Sequence, residues 1–319
     1  MKIAYQITNA RLVESDNFDE TVWIDLLSPT REEEINLEKI LGIGLPTRED
    51  MEEIEISSRL YEQDGAIYMT VQLPSATEEN SSQMGPVTFV IVANRLVTIR
   101  YHDPSPFRTF PIRASRTAIV GENGETVFLA FLEVVVDRLA DIIERAGRTV
   151  TSISRDIFQG ADQKNKRHQN YRAFLEVIGR NGDLISDIQD SLMTLDRAIG
   201  YFAQHIVRRE GTESQRGRIK TLTRDLHSIG DHASFLATKI TLLLDATLGM
   251  LSIEQNGIIK IFSVAAVVFL PPTLVASIYG MNFKFIPEFD WRFGYPFAIG
   301  LMILSALLPY WLFKRKRWL

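Results

Sequence analysis

IFSVAAVVFLPPTLVASIYGMN, residues 261–282, and YPFAIGLMILSALLPYWLFKRKR, residues 295–317, decide the architecture of this 319-residue chain. No Asp, Glu, Lys or Arg stands between Lys260 and Gly280, and none between Gly294 and Lys314. Each run is about 20 residues, which at about 1.5 Å per residue spans a hydrocarbon core of about 30 Å. The paired Pro271 and Pro272 fit such a segment, because neighbouring helices or waters can satisfy the backbone groups that proline frees. The core helix of a soluble protein is rarely followed by a second uncharged run and then by Lys314-Arg315-Lys316-Arg317. The reading is two membrane helices at the C-terminal end of an otherwise water-soluble chain. That layout excludes most enzyme classes.

Working outward, about 250 residues precede the first span, polar and mixed in charge, enough for one or two soluble domains. Met1-Lys2-Ile3-Ala4-Tyr5-Gln6 opens like a strand and not like a signal peptide, so this part is expected in the cytoplasm. Charge agrees. Lys260 lies just before the first span and Lys314 to Arg317 just after the second, which places both on the positive-inside face of a bacterial inner membrane. The loop between the spans, 283–293, balances Lys284 and Arg292 against Glu288 and Asp290, and is expected outside. Cysteine is absent, so any metal chemistry must use oxygen ligands, which suit hard cations such as Mg²⁺. The first 64 residues carry 16 acidic and 6 basic side chains, a lobe that repels nucleic acid and collects cations.

The N-terminal third reads as α/β, a cytoplasmic domain over 1–124. Strands are expected at Ile3–Ile7, Thr21–Leu26, Arg59–Glu62, Ala66–Leu73, Val87–Val92 and Arg95–Tyr101, bounded by turns such as Asp64-Gly65. A helix is expected to start with Ser28 as its cap and Pro29 in its first turn, and to stop near Gly42. Residues 125–212 read as two long antiparallel helices, Glu125–Phe158 and Asn170–Val207, joined by a polar turn near Gln163–Gln169. In the stalk, 213–257, Ile219, Leu222, Leu226, Ile229, Ala233, Leu236, Ile240, Leu243, Thr247 and Met250 repeat with 3-4 spacing. Such a seam must pack on something, and copies of itself are the expected partner. No proline interrupts Glu213 to Leu270, so one continuous helix is expected from the stalk through the first span, 258–280. The external loop, 281–294, the second span, 295–313, and a basic tail, 314–319, complete the chain. Two helices per chain cannot enclose a hole, so a pore needs several chains.

Tyr279-Gly280-Met281-Asn282-Phe283, followed by Pro287-Glu288 and Trp291, with a tail ending Lys-Arg-Lys-Arg-Trp-Leu, resembles the CorA Mg²⁺ transporter family. The resemblance is close over 256–319 and looser through the rest. It implies that Gly280, Met281 and Asn282, with Tyr279, form the selectivity filter of a homo-oligomer, a pentamer in this family. Mg²⁺ sheds its waters reluctantly, and a ring of neutral Asn282 amide oxygens can hold the hydrated ion weakly enough to let it leave. Gly280 is suited to ending the helix.

Helical steps from Asn256 give Ile259, Phe262 or Ser263, Ala266, Leu270, Thr273 and Ser277 on one face, and the resemblance turns that face to the pore. Asn256 would form an inner polar ring, Thr273 and Ser277 would offer hydroxyls, and Ile259 and Leu270 would constrict by dewetting. Asp245, three turns before Asn256, would add an acidic ring at the inner mouth. Glu288 and Asp290 would concentrate cations outside. The resemblance also implies closure by internal Mg²⁺ on cytoplasmic carboxylates, for which Asp225 and Asp231, facing the acidic first lobe, are the candidates.

Transport of Mg²⁺, with Co²⁺ and Ni²⁺ as secondary substrates, follows from the resemblance, driven by about 4.6 kcal/mol per 100 mV for a divalent ion. A zinc transporter of the related branch shares the architecture, and a membrane-anchored scaffold or sensor without flux is the alternative from another class. No phosphate-binding loop is present, and His102, His168, His205, His227 and His232 are scattered in polar contexts.

Overall fold

The computed structural model describes residues 2–15, 20–75, 82–117, 121, 123–159, 167–282 and 287–316. Of the expected turn over Gln163–Gln169, residues 163–166 lie outside them, as do Phe283, Lys284 and Arg317, while 167–169 are helical. The chain folds as two compact units, Met1–Leu244 and Asp245–Leu319.

The first unit is built on a seven-stranded sheet. In chain order the strands are β1 (Lys2–Thr8), β2 (Arg11–Glu14), β3 (Trp23–Leu27), β4 (Leu60–Gln63), β5 (Ala66–Ser75), β6 (Gln83–Val92) and β7 (Arg95–Arg100), lying side by side as β2-β1-β3-β7-β6-β5-β4. Only β3 and β7 run parallel. Alternation along β3 sends successive side chains to opposite faces. Ile24 and Leu26 join a core with Leu37, Met51, Tyr68 and Val97, under α1 (Arg31–Leu41) and α2 (Arg48–Glu52). Trp23 faces the other way, into a ring cluster with Phe107, Phe110 and Phe131, whose centroids lie 5.5–6.4 Å from it.

A buried charge accompanies that cluster. The Arg100 guanidinium lies 2.8 Å from Asp25 and 2.6 Å from Asp103, and sits 4.2 Å over the Phe107 ring. Thr98 donates to Asp25 at 2.7 Å and accepts from the Trp23 indole at 3.1 Å. Each polar atom has a partner, which is the condition for keeping an ion pair in a dry core.

The expected cap of α1 is corrected by one turn's worth of chemistry. Ser28 donates its N–H to Arg100 O at 2.8 Å and so still belongs to the sheet. Thr30 is the cap: its hydroxyl accepts from the Glu33 N–H, and the Glu33 carboxylate accepts from the Thr30 N–H. This reciprocal pair satisfies two orphan donors, more than Ser28 alone offers. Gly42 closes the helix at φ 70°, a left-handed conformation that glycine adopts without strain. Sequence reading also missed β2, α2 and the short α3 (Ile56–Arg59), all five residues or fewer.

After α4 (Pro106–Arg116), two long helices, α5 (Gly124–Gln159) and α6 (Arg167–Arg208), run antiparallel. Glu125, at the start of α5, meets His205 at 3.6 Å and Arg209, just beyond α6, at 3.2 Å. The next helix, α7 (Glu213–Tyr279), is continuous, as the absence of breakers implies. The partner of its seam is a correction. Ile219, Leu222, Leu226, Ala233, Leu236, Ile240 and Leu243 are buried within a single chain. Arg218 reaches Glu133 at 2.8 Å, Lys239 reaches Thr151 at 3.1 Å, and Ser234 meets Gln189 at 3.3 Å. The 3-4 spacing records packing on α5 and α6, and self-association is not needed to cover it.

The second unit holds the rest of α7, a 3₁₀ turn at Pro287–Asp290, and α8 (Gly294–Arg315). Both helices are long and apolar enough to cross a membrane, with mean hydropathy of 2.2 and 1.8 over their most apolar stretches, of which only 6% is buried. A core helix of a soluble protein would be mostly covered. These two are bare.

Candidate functional site

The membrane part of α7 has two unlike sides. At about 100° per residue, Asn256, Ile259, Ser263, Ala266, Leu270, Thr273 and Ser277 fall within a band about 100° wide. All seven are exposed in the single chain, Ile259 at 61% and Leu270 at 65%. Val264, Val268, Pro271, Pro272, Val275 and Tyr279 occupy the opposite side and are buried or half-buried. Ser263, Thr273 and Ser277 are the only hydroxyl side chains between residues 261 and 278, and all three share the exposed band. Asp245 is exposed and lies on the same side by the same helical count. Phe262 is exposed beside the band and not within it.

Chemistry within the band is graded. The Thr273 hydroxyl donates to the Phe269 carbonyl at 2.7 Å, so its proton is committed and its oxygen remains an acceptor. Pro271 and Pro272 have no N–H to give to the carbonyls of Val267 and Val268, so two rungs of the helix ladder are missing beside that threonine. Ile259 and Leu270, both before the prolines, are the bulky apolar members.

At the end of α7, Gly280 still donates to Ala276 O at 2.9 Å, and Met281 donates to Ile278 O at 3.3 Å, a tightened last turn. Gly280 does not adopt a positive φ, so the helix ends there without a left-handed cap. Gly280, Met281 and Asn282 are exposed, and Tyr279 half-buried. Asn282 thus leaves helix geometry with its amide uncovered, immediately beyond the hydroxyl-bearing band.

The loop beyond is ordered by its own contacts from Pro287 onward. The Trp291 N–H donates to Glu288 O at 3.3 Å, and Gly294 donates to Trp291 O at 2.9 Å. The Trp291 ring packs on Phe297 at 5.6 Å and on Phe293 at 6.4 Å. Glu288 is half-buried and Asp290 exposed.

A two-span C-terminus, a hydroxyl-lined exposed helix face and an uncovered Gly-Met-Asn end now stand together. The family model of CorA-like Mg²⁺ transporter proteins matches residues 18–315. This chain belongs to that family. The magnesium transport protein CorA of Escherichia coli strain K12 is 37% identical over 326 residues, covering 100% of both chains. That of Pasteurella multocida strain Pm70 is 35% identical over 321 residues, 99% of each. The solved CorA magnesium transporter of Methanocaldococcus jannaschii shares the fold, with a TM-score of 0.71 over 100% of this chain and 99% of that one, at 21% identity.

The CorA-family reading of the soluble part is less well served by the geometry of one chain. Asp225 is half-buried, 3.5 Å from Arg224, and Asp231 is exposed. Among the described residues no group of three or more His, Asp or Glu side chains is placed to hold a metal ion. The histidines stay apart. His102 is bonded to Leu73 O at 2.9 Å, His205 lies by Glu125, His227 lies 3.7 Å from Asp196, and His232 stacks on Phe235. The side chain of His168 lies outside the described residues.

Proposed function

We propose that several copies of this chain form a channel that admits Mg²⁺ to the cytoplasm. The observation that carries it is the exposed band of α7, which gathers the span's serine and threonine hydroxyls, Ser263, Thr273 and Ser277, on one side and ends at an uncovered Asn282. A side of a membrane helix that bears hydroxyls and an asparagine is costly against lipid and useful against water. The single chain leaves it uncovered, so copies of α7 are its natural surroundings. The family resemblance makes the number five. Asn282 amides from each copy then ring the mouth and hold the outer waters of the ion, while Gly280, Met281 and Tyr279 shape the rim. Asn256, Thr273 and Ser277 supply polar rings below it, Ile259 and Leu270 the constrictions, and Asp245 an acidic ring at the inner end.

Orientation follows from charge. Lys260 and the Lys314-to-Arg317 cluster face the cytoplasm across an inner membrane, both termini lie inside, and the 281–294 loop lies outside. The membrane potential drives entry, and Co²⁺ and Ni²⁺ are secondary substrates by resemblance. End-to-end identity of 35–37% with CorA magnesium transport proteins supports Mg²⁺ over Zn²⁺ as the main cargo. The chain acts as a transporter, not as an enzyme.

Closure by internal Mg²⁺ through Asp225 and Asp231 belongs to the same reading, with a condition set by geometry. Among the described residues one chain assembles no ligand set for the ion, so carboxylates of a neighbouring copy complete it. An ion bound that way favours the packed arrangement of copies and is released when internal Mg²⁺ falls.

The decisive experiment is Mg²⁺ influx into liposomes containing the purified chain, wild type against Asn282→Ala. Influx in the wild type with a loss of tenfold or more in the variant supports the reading. Equal influx in both removes the Asn282 ring, and wild-type vesicles no more permeable than empty ones remove the channel.

A further inference from the structure

At the outer end of α8, Gly294 is buried, and the space a side chain would need is already filled. A Cβ built there would lie 2.1 Å from the Glu288 carbonyl oxygen and 3.2 Å from its carbonyl carbon. Those are backbone atoms, so no side-chain rotation relieves the clash. The φ of Gly294 is not positive, so the requirement for glycine is one of space and not of backbone conformation. Two further contacts tighten the same junction: the Gly294 N–H on Trp291 O, and the Trp291 N–H on the very Glu288 oxygen that fills the space. The Trp291 ring against Phe297 fixes the turn to the body of α8.

From this we infer that Gly294 is a positioning residue for Glu288, holding that carboxylate at a set place on the outer rim. The inference rests on the channel reading above, in which Glu288 gathers cations before entry. A methyl group at 294 must move the Glu288 backbone by about 1 Å to restore an ordinary carbon–oxygen contact. Asp290 is exposed where Glu288 is half-buried, so the two carboxylates are not held alike. A carboxylate held in place raises the local cation concentration, which sets the external Mg²⁺ needed for half-maximal influx. It does not set the maximal rate, which the filter and constrictions govern.

The test is an external Mg²⁺ titration of influx into liposomes, at low and high ionic strength, for wild type, Glu288→Gln, Gly294→Ala and the double variant. Expected is a rise of roughly threefold in half-saturating Mg²⁺ for both single variants, with maximal influx kept. The double variant should be no worse than Glu288→Gln alone, because Gly294 acts through that carboxylate. The rise should shrink at high salt, where a surface charge is screened. A loss of maximal influx at unchanged half-saturation, or additive single effects, would overturn the inference and leave the channel reading intact. If Glu288→Gln has no effect, the collecting role and this inference fall together, and only the absence of wild-type influx removes the channel. Should Gly294→Ala fail to assemble, Trp291→Ala decides in its place by loosening the same turn without crowding it. Raised half-saturation with full maximal influx supports the inference, and an unchanged half-saturation refutes it.

Discussion

The first unit and the second solve opposite problems with the same side chains. In 1–244, Phe89, Phe128, Phe131 and Phe202 are completely buried and build the core. In 245–319, Phe262, Phe269 and Phe293 are mostly exposed, as are Leu270, Leu304 and Trp311. Water organises the first unit, and burial of its aromatic cluster supplies much of its stability. The second unit buries little of itself, whereas α5 and α6 cover the stalk. One helix, α7, contributes to both, and its seam changes character along its length. Between Ile219 and Leu243 the regular apolar residues are covered by the same chain, whereas from Asn256 onward the regular band mixes polar and apolar residues and is open.

The comparison can be broken most sharply at the filter. Asn282→Ala should reduce Mg²⁺ influx by tenfold or more while leaving the thermal unfolding of the soluble unit unchanged, as measured on the full chain in detergent. A shift in unfolding would mean that the two units do not divide stability and transport as described. Next comes the aromatic core. Phe131→Ala should destabilise the soluble unit by about 3–5 kcal/mol, measured by chemical denaturation. Phe269→Ala, an equal truncation of an exposed ring, should change it by less than about 0.5 kcal/mol. Equal effects would erase the contrast.

The buried ion pair gives a third, slightly smaller effect. Arg100→Met strands the Asp25 carboxylate in the core and should cost about 3 kcal/mol. Asp25→Leu combined with Arg100→Met should recover part of that loss, since the penalty lies in the uncompensated charge.

The smallest effect is on pH. Burial pushes the His102 imidazole below its ordinary pKa of 6.5, with Nε2 on Leu73 O and Nδ1 buried without a hydrogen-bond partner beside Gly85. The unfolded chain therefore binds a proton more readily than the folded one. The soluble unit should lose stability as pH falls below about 6.5, and melting temperatures across the range from neutral to mildly acidic should show it. His102→Gln should flatten that slope. A slope that survives the substitution would assign the titration to His205, whose pKa burial also lowers.

What the sequence disclosed follows the same division. The two spans were legible as long uncharged runs, and the seam of α7 as a long periodic signal that no proline interrupts before Pro271. The partner of the seam was not, because heptad-like spacing says that a stripe is covered and not by whom. Ser28 looked like a cap only as long as its N–H was unassigned. Once the sheet claims that group through Arg100, the capping box of Thr30 and Glu33 is the next solution along the chain. At the candidate site, helical count put Asn256, Thr273 and Ser277 on one face, and that face is exposed in the single chain, as is Asn282. Gly294 was invisible, since one glycine before an apolar run gives no hint that a carbonyl six residues earlier will occupy its missing side chain.

The paired prolines of α7 have a mechanical consequence. Bending a helix ordinarily stretches the bonds between successive turns, but at Val267 and Val268 those bonds do not exist. The Thr273 hydroxyl keeps the Phe269 carbonyl occupied just above the gap, which confines the weakness to about one turn. The span is therefore stiff at both ends and compliant in the middle, a little over two turns short of Gly280. A load applied anywhere along it is taken up first at that joint, so the helix turns most easily beside Leu270.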